Sequence, residues 1–212
     1  MTKHLPKTFR RLKRRVRKKL PTIILGLVLI TGLLAYAINM TDSRRIADPR
    51  TYNQLLQLIA QVESGDNYNA YYGNARNTKI KFTEMSIAEV LDWQDKFVAS
   101  GNPSSAVGRY QIINTTLADL VKTLDIDSSQ KFDKSTQDQL AAALMERRGL
   151  QQYVNNELSP EQFAANLAKE WAALPRIIGD NPEASYYAGD GLNHSRIKPA
   201  VVLKTIHMIG PL

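Results

Sequence analysis

The chain has no cysteine. Neither a disulfide nor a thiolate metal site can form, so any domain it builds is held by its core. Histidine is almost as scarce. His4, His194 and His207 stand far apart and give no metal-ligand spacing. No stretch alternates apolar and polar residues for long enough to read as a strand, and no segment repeats. Acidic residues are missing from the first 20 positions, and charge of either sign is missing from Leu20 to Met40.

Those last two absences reshape the charge. The formal net charge is +8, but ten of the 28 basic residues lie within residues 1–20. The remaining 18 face 20 acidic residues, which leaves the rest of the chain near −2. A mildly acidic domain behind a basic tail does not support nucleic acid as a partner. The uncharged run is rich in Ile, Leu and Val, and about 20 such residues are enough to span a bilayer. With the cations on its N-terminal side, residues 1–20 read as a cytoplasmic tail and 21–40 as a transmembrane anchor. Residues 41–48 read as a linker, and 49–212 as a domain on the periplasmic or extracellular side of the cytoplasmic membrane. A cleaved signal peptide is the rival, because Ala35-Tyr36-Ala37 suits a cleavage site. The long basic n-region favours the anchor.

Downstream, the stretch Leu55 to Gly65 predicts an amphipathic helix. Leu55, Leu58, Ile59 and Val62 recur at helical spacing. Glu63 follows Ile59 by four residues and Leu56 by seven, so it projects from the edge of the apolar face. Ser64-Gly65 then stops the helix. A carboxyl in the last turn meets the negative end of the helix dipole and apolar neighbours, and both disfavour its ionisation. That is the environment of a general acid near neutral pH.

Other helices announce themselves by their ends. Asp48-Pro49 is a helix start. Ser86-Ile87-Ala88-Glu89 is a capping box for a helix running to about Ser100, before Gly101. Leu117, Leu120, Val121 and Leu124 mark another, and a further one runs from near Thr136 to Arg148, before Gly149. Ser159-Pro160-Glu161-Gln162 opens a helix expected to carry Phe163, Leu167 and Trp171 and to close at Leu174-Pro175. Pro199 starts the last, through Val201, Val202 and Ile206. Between the first two lies an aperiodic segment, 66–81, whose amides and tyrosines suit a carbohydrate or a plain Asn-rich loop. The domain is expected to be all-α.

Three segments stand out together: Glu63-Ser64-Gly65 at a helix end, Ser104 to Gln111 before a helix, and Trp171-Ala172-Ala173-Leu174-Pro175. With Gln137-Asp138 and Arg148-Gly149, this ordered set resembles the lysozyme-like superfamily, nearest the lambda-type phage endolysins, which are lytic transglycosylases. The resemblance covers roughly residues 50–210. It implies a lysozyme-like helical domain that cuts the MurNAc–GlcNAc linkage of peptidoglycan glycan strands without metal or organic cofactor. It also implies that Glu63 is the catalytic acid and base, closing a 1,6-anhydro ring. Ser64, Ser105, Tyr110 and Gln111 are expected to contact substrate, and Tyr186, Tyr187 and Asn193 to line the cleft. Gly108 is read as a backbone requirement, Arg109 as a partner for a carboxylate, and Trp171 as core. Two other functions compete. A muramidase using water needs a second carboxylate, for which Asp66 and Asp190 are the candidates. A non-catalytic peptidoglycan-binding component of an envelope-spanning apparatus needs none.

Overall fold

The computed structural model describes residues 49–209. The expected tail, membrane span and linker, and the Asp48 helix cap, lie outside the described residues. Within them, no helix is long and apolar enough to cross a membrane. Seven α-helices follow one another: α1 (Pro49–Ser64), α2 (Ile87–Ala99), α3 (Asn114–Thr123), α4 (Lys134–Arg147), α5 (Leu150–Val154), α6 (Pro160–Ala168) and α7 (Pro199–Ile209). A single 3-10 turn spans Phe82–Glu84. Pairing between extended segments among the described residues is confined to isolated bridges such as Tyr71 with Val107, so no strand forms.

The apolar stripe of α1 does what its spacing dictates. Tyr52, Leu55, Leu56, Ile59 and Ala60 are buried, and α1 packs on α7, which contributes Val202, Ile206 and Ile209. Helix α4 is buried along Gln137, Leu140, Ala141, Leu144 and Met145 and also meets α1. Burying a Leu, Ile or Phe stabilises a fold by about 1.5–3 kcal/mol, so one contiguous core built from all seven helices can replace the missing disulfides.

The expected capping box forms, and the Ser159 helix start proves to be a second one. Ser86 accepts from the Glu89 N–H while the Glu89 carboxylate accepts from the Ser86 N–H, and Ser159 and Gln162 repeat the arrangement. Helix α6, however, ends at Ala168, six residues before the Leu174-Pro175 expected to close it. Trp171, Ala173 and Leu174 are all buried, and the chain passes through successive turns to bury them. Tertiary packing ends this helix, not a local breaker. The five-residue α5 was not apparent from periodicity, being too short to show one.

The Asn-rich segment binds itself. The Asn67 amide donates to Ala75 O and Asn77 O, and the Asn77 amide donates to Asn69 O and Ile80 O. Asn69 Oδ1 accepts from the Thr83 N–H. These amides clamp an irregular loop whose backbone has no helix or sheet to satisfy it.

Candidate functional site

A cleft of about 430 Å³ opens where the end of α1, the 103–113 segment, the C-terminal end of α4, the 169–172 turn and the 187–196 loop meet. Glu63 lines it. The residue is the penultimate one of α1, and its carboxyl is partly buried because α1 lays its apolar face into the core up to this turn. Glu63 Oε1 accepts one hydrogen bond, 3.0 Å from the backbone N of Ala173. Burial pushes its pKa from 4.5 up to about 7, against the smaller pull of that bond and of the Arg196 charge. Arg196 comes from the far loop. Its guanidinium donates to Val62 O at 3.1 Å, and its own N–H bonds Ala173 O at 2.9 Å. One residue, Ala173, is thus tied to both, by its N–H to Glu63 and by its carbonyl to Arg196.

Behind the opposite wall, residues 107–112 make a tight turn, with Val107 and Ile112 exchanging backbone bonds. Gly108 has φ of 79°, and a Cβ there would lie 2.4 Å from Gln137 Oε1. The glycine is required twice over, by its conformation and by that contact. Buried Gln137 accepts from the Arg109 N–H and donates to Tyr68 O and Phe132 O, which locks this turn to α4. Gln111 also adopts a positive φ, of 50°, and lines the cleft with its amide donating to Gly108 O.

The expected substrate contacts divide. Gln111, Tyr187 and Asn193 line the cleft with Glu63. Tyr187 donates its hydroxyl to Lys169 O at 2.7 Å, and the Asn193 amide donates to Asp190. The other four stand differently: Ser64, Ser105 and Tyr186 need correction, and Tyr110 reaches the cleft from the core. Ser64 is buried, its hydroxyl shared between Arg109 O and Ala60 O, and it ties α1 to the 107–112 turn. Ser105 is buried too and caps α3 from outside, accepting from the Asn114 N–H because Ile113, at the N-cap, has no polar side chain. Tyr110 lines the cleft but is almost wholly buried, with its hydroxyl donating to Asp138 at 2.7 Å. Tyr186 is absent from this cleft and lines a neighbouring cavity. Trp171 is buried core, though it reaches the cleft wall.

Neither candidate second carboxylate is among the cleft-lining residues. Asp66 turns to Arg109, 2.6 Å away. Burial works to raise its pKa, but the hydrogen bonds from Arg109 and Gln57 and the Arg109 charge hold it below the usual carboxylate range. Asp190 accepts from the Asn193 amide and from the Leu192 and Asn193 N–H groups, which hold it low as well. A different acid does line the cleft. Glu170 is almost fully buried, with Arg147 on one oxygen at 3.0 Å and Arg148 on the other at 2.8 Å. Tyr72 brings to the cleft one tyrosine of the 66–81 segment, whereas Glu170, Arg147 and Arg196 escaped sequence reasoning. Nothing in the spacing of those three marks them, since three separate segments bring them together.

Compared with known proteins, residues 53–188 match the family model described as Endolysin. No curated protein and no solved structure matches the chain.

Proposed function

Since the chain belongs to the Endolysin family, and so to the peptidoglycan-cleaving, lysozyme-like glycosidases, we propose that it is a lytic transglycosylase with Glu63 as its single acid and base. The observation that carries this reading is the state of Glu63. Its carboxyl lines a cleft, has no carboxylate or cation among the described residues hydrogen-bonded to it, and holds its proton up to about pH 7. An acid with that affinity can protonate a glycosidic oxygen and, once ionised, take a proton back.

Glu63 gives its proton to the bridging oxygen as the MurNAc C1–O bond breaks, and the GlcNAc end leaves as an alcohol. Positive charge grows on C1 and the ring oxygen. The C6 hydroxyl of the same sugar then attacks C1, and its proton passes to the Glu63 carboxylate. A C1–O6 bond closes the 1,6-anhydro ring, Glu63 is reprotonated, and no water is consumed. A hydrolase would need a second carboxylate to activate water or hold the intermediate. Among the described residues that line the cleft, the other acid is Glu170, and both of its oxygens are taken by arginines. The Ala173 N–H and Arg196 steady the ionised form of Glu63 without adding a cation bond to it. Residues 21–40 would anchor the enzyme in the cytoplasmic membrane with this domain outside, next to the wall it cuts.

Mass spectrometry of the muropeptides released from purified sacculi tests the reaction. The expected products end in 1,6-anhydro-MurNAc, lighter by one water than reducing-end products. Reducing-end MurNAc as the primary product would replace this reading with a muramidase in which Glu170 is the second acid. Release of nothing at all would leave a binding protein.

A further inference from the structure

Beside the cleft lies a second cavity, of about 440 Å³, with Asn166, Lys169, Arg176, Ile178 and Tyr186 in its walls. Its cations are held differently from the two arginines at the end of α4. Arg147 pairs with Asp119 and Glu170, and Arg148 with Glu170. Here two cations stand with no acid in the lining. Lys169 Nζ reaches only the neutral Asn166 Oδ1, at 3.3 Å. Arg176 donates from Nη2 to Ser185 O, and its buried Nε has no hydrogen-bond partner. Nε itself is shielded from the cavity, but no acid among the described residues pairs with the guanidinium, and a cation lining a cavity without a counter-charge favours an anion there. Apart from Gln162 the rest of the wall is apolar and open, with Ile178 and Tyr186 about half exposed.

The two cavities share a rim. Lys169 lines both, and Tyr186 in one packs edge-on against Tyr187 in the other, with ring centroids 5.2 Å apart. A glycan strand seated at Glu63 would have this cavity beside it. The group such a strand carries sideways is the peptide joined to the lactyl ether of MurNAc, which has free carboxylates, amide groups and alkyl side chains. We propose that the Lys169–Arg176 cavity is a subsite for that acidic peptide stem. Arg176 and Lys169 take a carboxylate, Asn166 takes peptide amides, and Ile178 with Tyr186 covers the aliphatic portion. This inference rests on the cleft being the glycan site.

The test uses the full-length protein in detergent and two substrates, glycan strands bearing their stems and the same strands stripped of stems by an amidase. A charge-assisted hydrogen bond is worth enough that kcat/KM should favour stem-bearing strands by about tenfold. Arg176→Gln should abolish most of that preference and leave the rate on stripped strands unchanged. Arg176 also bonds Ser185 O, so Ile178→Glu serves as the second variant. Its side chain is half exposed, and the new carboxylate should repel the stem without removing core packing. Equal kcat/KM on both substrates for the wild type, or an equal fall on both in Ile178→Glu, would overturn the subsite while the glycan cleft stands. Cleavage of neither substrate would instead bring down the reading of the cleft, and this inference with it. Inhibition by inorganic phosphate as strong as that by free stem peptide would make this a general anion site and overturn the assignment to the stem.

Discussion

Glu63 and Asp66 are three residues apart at one helix end, and their carboxyls are opposite in every physical respect. Glu63 is set among apolar groups with one backbone N–H for a partner, and its pKa rises to about 7. Asp66, with its backbone in the left-handed region at φ of 68°, swings the other way onto Arg109 and is held low. Around Arg109 a further acid, Asp138, and the hydroxyls of Tyr68 and Tyr110 complete a satisfied polar cluster. The lesson is that charge pairing, more than position in the chain, decides which acid keeps a proton. A paired carboxylate serves structure, and an unpaired, desolvated one is available for chemistry.

The comparison breaks most visibly at Glu63. Glu63→Gln keeps the shape and the Ala173 bond but cannot give or recover a proton. Activity on sacculi should fall by about 10²–10⁴-fold, as removal of a general acid–base group typically does. A folded variant cleaving at the wild-type rate would end the assignment of Glu63.

The same substitution should move stability in the other direction, and only at high pH. Because the folded pKa lies above the ordinary value of 4.5, the folded state holds a proton that the unfolded chain releases. Stability from this group is complete below about pH 4.5 and is lost as pH rises through about 7. Relative to wild type, Glu63→Gln should gain up to about 3 kcal/mol between pH 4 and pH 8. Urea unfolding at the two pH values measures it, and a pH-independent difference would mean that Glu63 is not desolvated.

On the paired side, Arg109→Met should leave two half-exposed carboxylates without their cation. The expected loss is about 1–3 kcal/mol at pH 7, below that of a fully buried pair because water still reaches both acids. The loss should shrink as pH falls and Asp66 is protonated. A stability unchanged at pH 7 would show that the cluster is incidental to the fold.

Much of this was legible before any coordinates. The α1 stripe, the position of Glu63 at its edge, the Ser86 capping box, the Ser159 helix start and the need for Gly108 are local statements about residues a few positions apart. What misled was also local. Ser64 and Ser105 looked available to a substrate because their partners, Arg109 O and Asn114, come from other segments. The same holds for the amides of residues 67–77, which serve their own loop.

By itself, then, the sequence determined where most helices begin, which faces are apolar, that no disulfide or cysteine metal site exists, and that one carboxyl ends an apolar helix. Those properties follow from spacing, caps and side-chain chemistry, which act over a turn or two. Only the tertiary structure decided that α6 stops early to bury Trp171, that Asp66 belongs to Arg109, and that Glu170 lies beside the cleft between two arginines. It also left Arg176 and Lys169 without an acid next to that cleft. The reason is that burial and ion pairing depend on which groups converge in space. Segments separated by as many as 134 residues, as Val62 and Arg196 are, carry no mark of their meeting in local sequence.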